Sequence, residues 1–129
     1  MQESPIFART HDLLLWLLQT TRKFPRDQRF TLTQRLHGQA FTLQDALVAA
    51  GVDGQEARRH LQDADIALIG LRKSLLLCHD LTLLSAGQYR HASEMTAEIG
   101  RLLGGWQKTM REREVRPKHH VADAGTGPE

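Results

Sequence analysis

Leucine recurs through this chain with the 4-3 spacing of a helix that buries one side. The longest example runs over three heptads: Ala57, Leu61, Ala64, Leu68, Leu71, Leu75 and Cys78. Side chains at that spacing lie on one face of an α-helix, whereas the period-two alternation of a half-buried strand is sustained nowhere. Leucine also outnumbers valine and isoleucine together, which favours helices over strands. The pattern predicts an all-α fold.

Cap residues and prolines divide the chain into four predicted helices. The first begins after Ser4 and ends before Pro25, because a proline disfavours the α conformation of the residue before it. The second starts at Pro25, and Gly51 is placed to cap it in a left-handed conformation. The third covers 54–81, and the fourth begins at Ser85. Since short connections join antiparallel neighbours, we expect an antiparallel up-down four-helix bundle.

Two of the predicted helix starts have the sequence of a capping box, in which two side chains three residues apart each bond the other residue's backbone N–H. One box pairs Asp53 with Glu56, and the other pairs Ser85 with Gln88. The caps and the apolar periodicity indicate the same boundaries, which strengthens both predictions.

A chain of 129 residues has room for one domain. The apolar periodicity ends near residue 112, so we expect the bundle domain to cover 1–112. The segment 113–129 is charged and then rich in glycine and proline, which predicts a disordered tail.

The sequence favours a cytoplasmic protein that does not interact with membranes. Its longest apolar run, 13–18, is far shorter than the roughly 20 residues that cross a bilayer, and no signal peptide is visible. Cys78 is the single cysteine, which excludes an internal disulfide and a cysteine-based zinc site and suits a reducing compartment. Its place on the apolar face of the third helix predicts an unreactive core thiol.

Some apolar and small residues fall outside the predicted core. Ile66 and Ile69 lie away from the 4-3 face of the third helix, as does Leu77. Gly100 and Gly104 stand within the fourth helix, where each glycine costs close to 1 kcal/mol relative to alanine. Close approach of another subunit, with Trp106 packing beside these glycines, would offset that cost. We expect a homo-oligomer; a wide core within one chain and a tolerated helix kink are the alternatives.

Basic residues cluster at one corner and along the third helix. The connection between the first two helices holds four cations, opposed only by Asp27: Arg22, Lys23, Arg26 and Arg29. The third helix adds two basic pairs about 21 Å apart along its axis: Arg58 with Arg59, and Arg72 with Lys73. Such a surface could follow a phosphate backbone, although a charged bundle face is more often plain solvated surface.

Catalytic interpretations have little support, so we expect no enzyme, no catalytic residues, no metal and no cofactor. His91, Glu94 and Glu98 share a helix face, but nothing in the chain repeats the Glu-x-x-His motif that di-iron bundles take from paired helices. Arg72 and His79 fit the loose Arg-x4–6-His pattern of HEPN ribonucleases, which are also helical. With this many arginines and histidines, about two such matches arise by chance.

Three segments, taken together and in order, resemble one known family. They are Asp-Leu-Leu-Leu-Trp-Leu-Leu at 12–18, Lys-Phe-Pro-Arg-Asp-Gln-Arg-Phe at 23–30, and the stretch from Tyr89 to the Gly-Gly-Trp at 104–106. The chain resembles the accessory variability determinant (Avd) proteins of diversity-generating retroelements over roughly residues 7–110. These are themselves similar to four-helix-bundle proteins encoded in intervening sequences of 23S rRNA.

The resemblance implies a non-enzymatic helper that forms a homopentamer of four-helix bundles. It would bind the retroelement's reverse transcriptase together with RNA or DNA and support mutagenic retrohoming. The expected phosphate contacts are then the eight basic residues named above. The alternative is an intervening-sequence-type bundle with a structural or RNA-binding role and no polymerase partner. A net charge of only +2 is modest for a protein that binds nucleic acid.

Overall fold

The computed structural model describes residues 4–124, with side chains described for 4–114. Its four α-helices follow in order: α1 Pro5–Thr20, α2 Gln34–Val52, α3 Ala57–Asp80 and α4 Ala86–Ala124. Successive helices pack side by side and α1 also packs against α4, so the four close into a ring. No strand occurs within 4–124. The predicted all-α class and four-helix bundle are confirmed.

The core consists of the apolar faces that the sequence indicates. Every position of the 4-3 pattern in α3 is buried, from Ala57 to Cys78. The matching face of α2 is buried at Leu36, Ala40, Leu43, Leu47 and Ala50, and that of α4 at Ala92, Thr96, Ile99 and Leu103. Since full burial of a leucine side chain stabilises a fold by about 1.5–3 kcal/mol, these faces supply the main driving force for assembly.

Helix α1 buries one face and leaves part of its leucine run exposed. Ile6, Leu13 and Leu17 are buried at helical spacing, while Leu15 and Leu18 are exposed. Thr10 completes the buried face because its Oγ1 donates a hydrogen bond to the carbonyl of Ile6 at 2.8 Å. The outer side of α1 is therefore available to other molecules.

The capping box at Ser85 is confirmed: Ser85 N donates to Gln88 Oε1 at 2.9 Å, and Gln88 N donates to Ser85 Oγ at 3.1 Å. The capping box predicted at Asp53 is wrong, because the Asp53 carboxylate lies 3.4 Å from His60 Nε2 instead of on the backbone. The left-handed cap predicted at Gly51 is also wrong, since α2 continues through Val52.

Helix α4 continues beyond the boundary that the sequence suggests at residue 112. Its backbone is helical to Ala124, and Glu114 still reaches α3, where it pairs with Arg58 at 2.7 Å. Arginine and glutamate are good helix formers, so the charged residues after 110 extend the helix. Residues 125–129 of the predicted tail lie outside the described part, and the division of the chain at 112 stays a prediction.

Within residues 4–124, none of the helices combines the length and apolar character that crossing a membrane requires.

The predicted burial of Cys78 is confirmed, and burial raises the pKa of its thiol to about 11. Because the thiolate is the reactive form, we expect the native protein to resist a disulfide reagent such as DTNB at about pH 8, and to react promptly once urea unfolds it. Absorbance of the released thiol measures both rates. Equal rates with and without urea would contradict the buried position.

Candidate nucleic-acid interface

The connection between α1 and α2, here called the basic corner (residues 21–33), is an ordered part of the bundle. It contains two 3-10 turns, Thr21–Lys23 and Arg26–Gln28, followed by a π-helical turn, Arg29–Thr33. Leu32 is buried and Phe24 packs against the core. These apolar anchors hold the corner against the bundle, so its cations have a defined position.

A hydrogen bond between two side chains joins the start of the basic corner to α2. The Thr21 hydroxyl donates to the Leu17 carbonyl at 2.8 Å and lies 2.9 Å from His37 Nε2. Since the single hydroxyl proton points to Leu17, the Nε2–H of His37 is the donor to Thr21. Burial lowers the pKa of His37, because the charged ring loses hydration there.

The four cations of the basic corner point into solvent. Arg22, Lys23, Arg26 and Arg29 are all exposed. None of them forms an ion pair with a carboxylate among the residues whose side chains are described. The guanidinium and ammonium groups therefore keep their hydrogen-bond donors available for an external anion.

The pair Arg72 and Lys73 lies toward the same end of the bundle as the basic corner. Gln39 of α2 lies against Gly70 of α3, which sets the two antiparallel helices in register. Residues 72 and 73 are therefore level with the first turns of α2, next to the corner. Both side chains are exposed and form no ion pair with a described carboxylate.

The pair Arg58 and Arg59 lies at the opposite end and is surrounded by carboxylates. Arg58 pairs with Glu114 of α4 at 2.7 Å. Arg59 pairs with Glu56 at 3.0 Å and Asp63 at 3.8 Å, and the hydrogen bond that its Nε donates to the Glu56 carboxylate raises the pKa of Arg59. The eight predicted contact residues thus do not form one continuous surface. Six cluster at one end, and two are partly neutralised at the other.

Residues Ile66 and Ile69 are exposed, as the sequence predicts, with 61% and 51% of their surface accessible. Ile66 lines an open groove of about 690 Å³ between α2 and α3, together with Phe30, Gly38 and Gly70. Phe30 belongs to the basic corner and is 83% exposed. An apolar surface of this kind next to free cations fits contact with another macromolecule.

The two glycines and the tryptophan predicted to contact another subunit lie in different environments. Gly100 faces Leu68 of α3, since a Cβ built there would lie 3.6 Å from its Cδ2. Trp106 packs edge-on against Phe7 of α1, with ring centroids 6.1 Å apart. Contacts within the chain thus account for Trp106. At Gly100 the built Cβ would lie at an ordinary contact distance from Leu68, so this packing leaves room for a methyl group and does not require a glycine. Gly104 is exposed with open space beside it.

The pair with ribonuclease-like spacing forms no common site. Arg72 is exposed, while the His79 ring stacks on Tyr89 with centroids 4.8 Å apart and has its Nδ1 3.4 Å from the Leu84 carbonyl. His79 therefore has a packing role at the α3–α4 connection. Among the described residues, no group of three or more potential metal ligands comes together.

Sequence reasoning missed Arg35, which is exposed on the first turn of α2 and lines the same groove as Phe30. It forms no ion pair with a described carboxylate. Its closeness in sequence to Arg29 was the available signal, but the predicted corner stopped at residue 29. Arg35 extends the cationic end of the bundle toward Lys73.

The chain matches a known protein family over most of its length. The model of a family described as bAvd-like matches residues 6–110, which is well over half of the chain. The matched range includes all three segments on which the resemblance rests. No curated protein matches the chain.

Acid should destabilise the fold through His37, because protonation places a positive charge on a partly buried ring. The folded state lowers the pKa of this ring below 6.5, so its contribution to stability is complete above that pH and is lost as the pH falls through the folded-state pKa. We expect a His37→Gln variant, which keeps an N–H donor, to lose less stability than the parent between about pH 7.5 and 5.5. Urea unfolding at both pH values measures this.

The control is His11→Gln, which changes an exposed histidine of α1. It should leave the pH dependence of the parent unchanged. If His37→Gln and the parent lose equal stability on acidification, the buried neutral ring has no part in the pH response.

Proposed function

We propose that this chain, which belongs to the bAvd-like family, is a non-enzymatic accessory protein of a diversity-generating retroelement. It would hold RNA or DNA beside the element's reverse transcriptase during mutagenic retrohoming, in the cytoplasm, while the polymerase performs the chemistry. The observation that supports this best is the group of exposed cations at one end of the bundle, which pair with no carboxylate among the described side chains, in a chain of this family.

The cationic end consists of Arg35 together with six of the predicted cations: Arg22, Lys23, Arg26, Arg29, Arg72 and Lys73. The net charge of +2 understates the field at this end, because it averages over the whole chain, whereas the basic corner carries four cations against one carboxylate, Asp27. Arginine guanidinium groups form bidentate hydrogen bonds to phosphate oxygens, and such contacts bind nucleic acid without reading its sequence. We propose that the phosphate backbone binds at this end, and that Arg58 and Arg59 make only a minor contribution to binding.

The exposed residues Ile66 and Ile69, with the groove between α2 and α3, are the proposed contact between copies of the chain. Exposed apolar patches of this size favour burial against a partner, and a closed ring of subunits would cover every copy of the same patch. Family membership supports a pentamer. Gly104 has open space beside it and stays in the proposed contact; Gly100 and Trp106 would support it only from within their own chain.

The alternative function is that of an intervening-sequence-type bundle, which binds RNA without a polymerase partner. The same cationic end would serve both roles. Copurification with a reverse transcriptase encoded beside the gene distinguishes them, because only the first role requires a stable complex between the two proteins.

Removing charge from the cationic end should weaken binding to nucleic acid more than removing equal charge from the opposite end. The first double variant carries Arg26→Gln and Arg29→Gln. The second, its matched control, carries Arg58→Gln and Arg59→Gln. For a single strand, the slope of log K against log salt is negative, and each lost phosphate contact makes it shallower by about 0.7. The first variant should lose about two such contacts and the second close to none. Fluorescence anisotropy of a labelled oligonucleotide over a salt series measures both slopes.

Two results would contradict this assignment. Equal losses in the two double variants would show that position on the bundle does not matter. Absence of binding by the parent at low salt would remove nucleic acid from the proposed function altogether. Circular dichroism should show unchanged helix content in both variants, since all four side chains are exposed.

A charge placed on the proposed contact between copies should dissociate the oligomer. We expect Ile66→Asp to convert the assembly to monomers, because closing the contact would bury an unpaired carboxylate at high cost. Sedimentation velocity measures the change. The control is Leu18→Asp on the outer side of α1, which should leave the assembly intact. A parent protein that sediments as a monomer would overturn the proposed oligomer.

A further inference from the structure

A second groove lies on the opposite side of the bundle from the α2–α3 groove, between α1 and α4. We call it the Trp16 groove. Its volume is about 440 Å³, and its lining consists of Arg9, Asp12, Leu15, Trp16, Gln19, His91 and Met95. The α1 residues follow the 3-4 spacing of one helix stripe, so they form a continuous strip beside α4. None of these side chains has a part in the phosphate contacts proposed above.

The groove presents two π systems. Trp16 is half-buried, packs against the core and lines the groove with the rest of its indole. The exposed ring of His91 lies beside it, with centroids 5.5 Å apart and planes inclined by 56°. The apolar side chains of Leu15 and Met95 flank the pair. A flat aromatic ligand can stack on such a surface and be covered at its edges by aliphatic groups.

Charge around the groove favours a ligand with an anionic backbone. Asp12 is the acidic residue in the lining, and it pairs with Arg9 at 3.6 Å. Arg22 lies six residues beyond Trp16, about 9 Å along the helix axis, and is followed by Lys23. Arg90 is exposed next to His91 and forms no ion pair with a described carboxylate. Arg22, Lys23 and Arg90 thus place exposed cations toward the basic-corner end of the groove, whereas the exposed carboxylate of Glu94 lies one turn further along α4 from His91.

We propose that the Trp16 groove binds an unpaired nucleobase of a single strand whose phosphates lie on the basic corner. The proposal rests on the proposed nucleic-acid function and deepens it. Bases in a duplex are stacked inside the helix and cannot reach an aromatic side chain, whereas unpaired bases stack readily on Trp and His. At the rim, the Gln19 amide and the Asp12 carboxylate can bond the polar edge of the base. The protein would therefore prefer single strands to duplexes.

The test compares oligonucleotides of equal charge that differ in their bases. We measure the Kd of labelled single-stranded adenine oligomers, in RNA and DNA form, against an abasic oligomer of the same length and against a duplex. The parent should bind the abasic strand about 5- to 100-fold more weakly than the adenine strand. The RNA and DNA arms show whether the 2′-hydroxyl contributes.

Substitutions in the groove should remove this preference and leave phosphate binding unchanged. His91→Ala changes an exposed ring, and Trp16→Leu keeps an apolar side chain against the core. Each should bring the adenine strand close to the affinity of the abasic one, with an unaltered salt slope. The matched control, His11→Ala, removes an exposed histidine of α1 outside the groove and should keep the full preference. If Trp16→Leu proves unstable, His91→Ala alone decides.

The outcomes separate the two proposals. Equal, salt-sensitive affinity of the parent for adenine and abasic strands overturns the base site and leaves the phosphate-binding function in place. A preference for the adenine strand that survives in both groove variants also overturns the site. Absence of binding to any strand at low salt overturns the nucleic-acid function, and the base site with it.

Discussion

The structure depends on the burial of four apolar faces against one another, with α3 providing the longest. Leu61, Leu71 and Leu75 are almost completely removed from water, and each contributes about 1.5–3 kcal/mol relative to an exposed side chain. The gain from burial depends on apolar area and not on the direction of individual bonds. It therefore determines which face of each helix points inward, and it leaves the residues on the outer faces free to vary. Both grooves and the cationic end belong to those outer faces. The packing of the core sets the positions of both grooves and of the cationic end, and these outer surfaces do not add to the buried core.

The basic corner shows how the core can hold a connecting segment in a defined position. Four cations within eight residues repel one another, and a flexible loop would let them separate. Here Phe24 and Leu32 anchor the segment to the core, and the hydrogen bond from His37 to Thr21 ties its start to α2. The entropy of ordering this segment is lost during folding, before any ligand arrives. A phosphate strand that binds there meets charges already in position, which favours tight binding.

Electrostatics divides the bundle into two unlike ends. Where Arg58 meets Glu114 and Arg59 meets Glu56, the positive charge is locally balanced. Exposed pairs of this kind add little stability, about 0–1 kcal/mol, so their main consequence is to reduce the field at that end. The end with the basic corner has no such balance among the described residues. A polyanion of the kind proposed would therefore be drawn to one end of the molecule, although the overall charge is small.

The sequence alone determined the fold class, the buried positions and the start of α4, because a 4-3 apolar pattern and a capping box are local properties of the chain. It also located the basic corner, whose cations are neighbours in sequence. Only the tertiary structure decided that Arg58 is paired, since Glu114 lies 56 residues from Arg58 and its approach depends on how α4 packs on α3. The structure likewise brought Trp16 beside His91 and showed Gly100 facing Leu68. Contacts between distant segments have no signature in local spacing, because they arise from the order in which the helices close the ring.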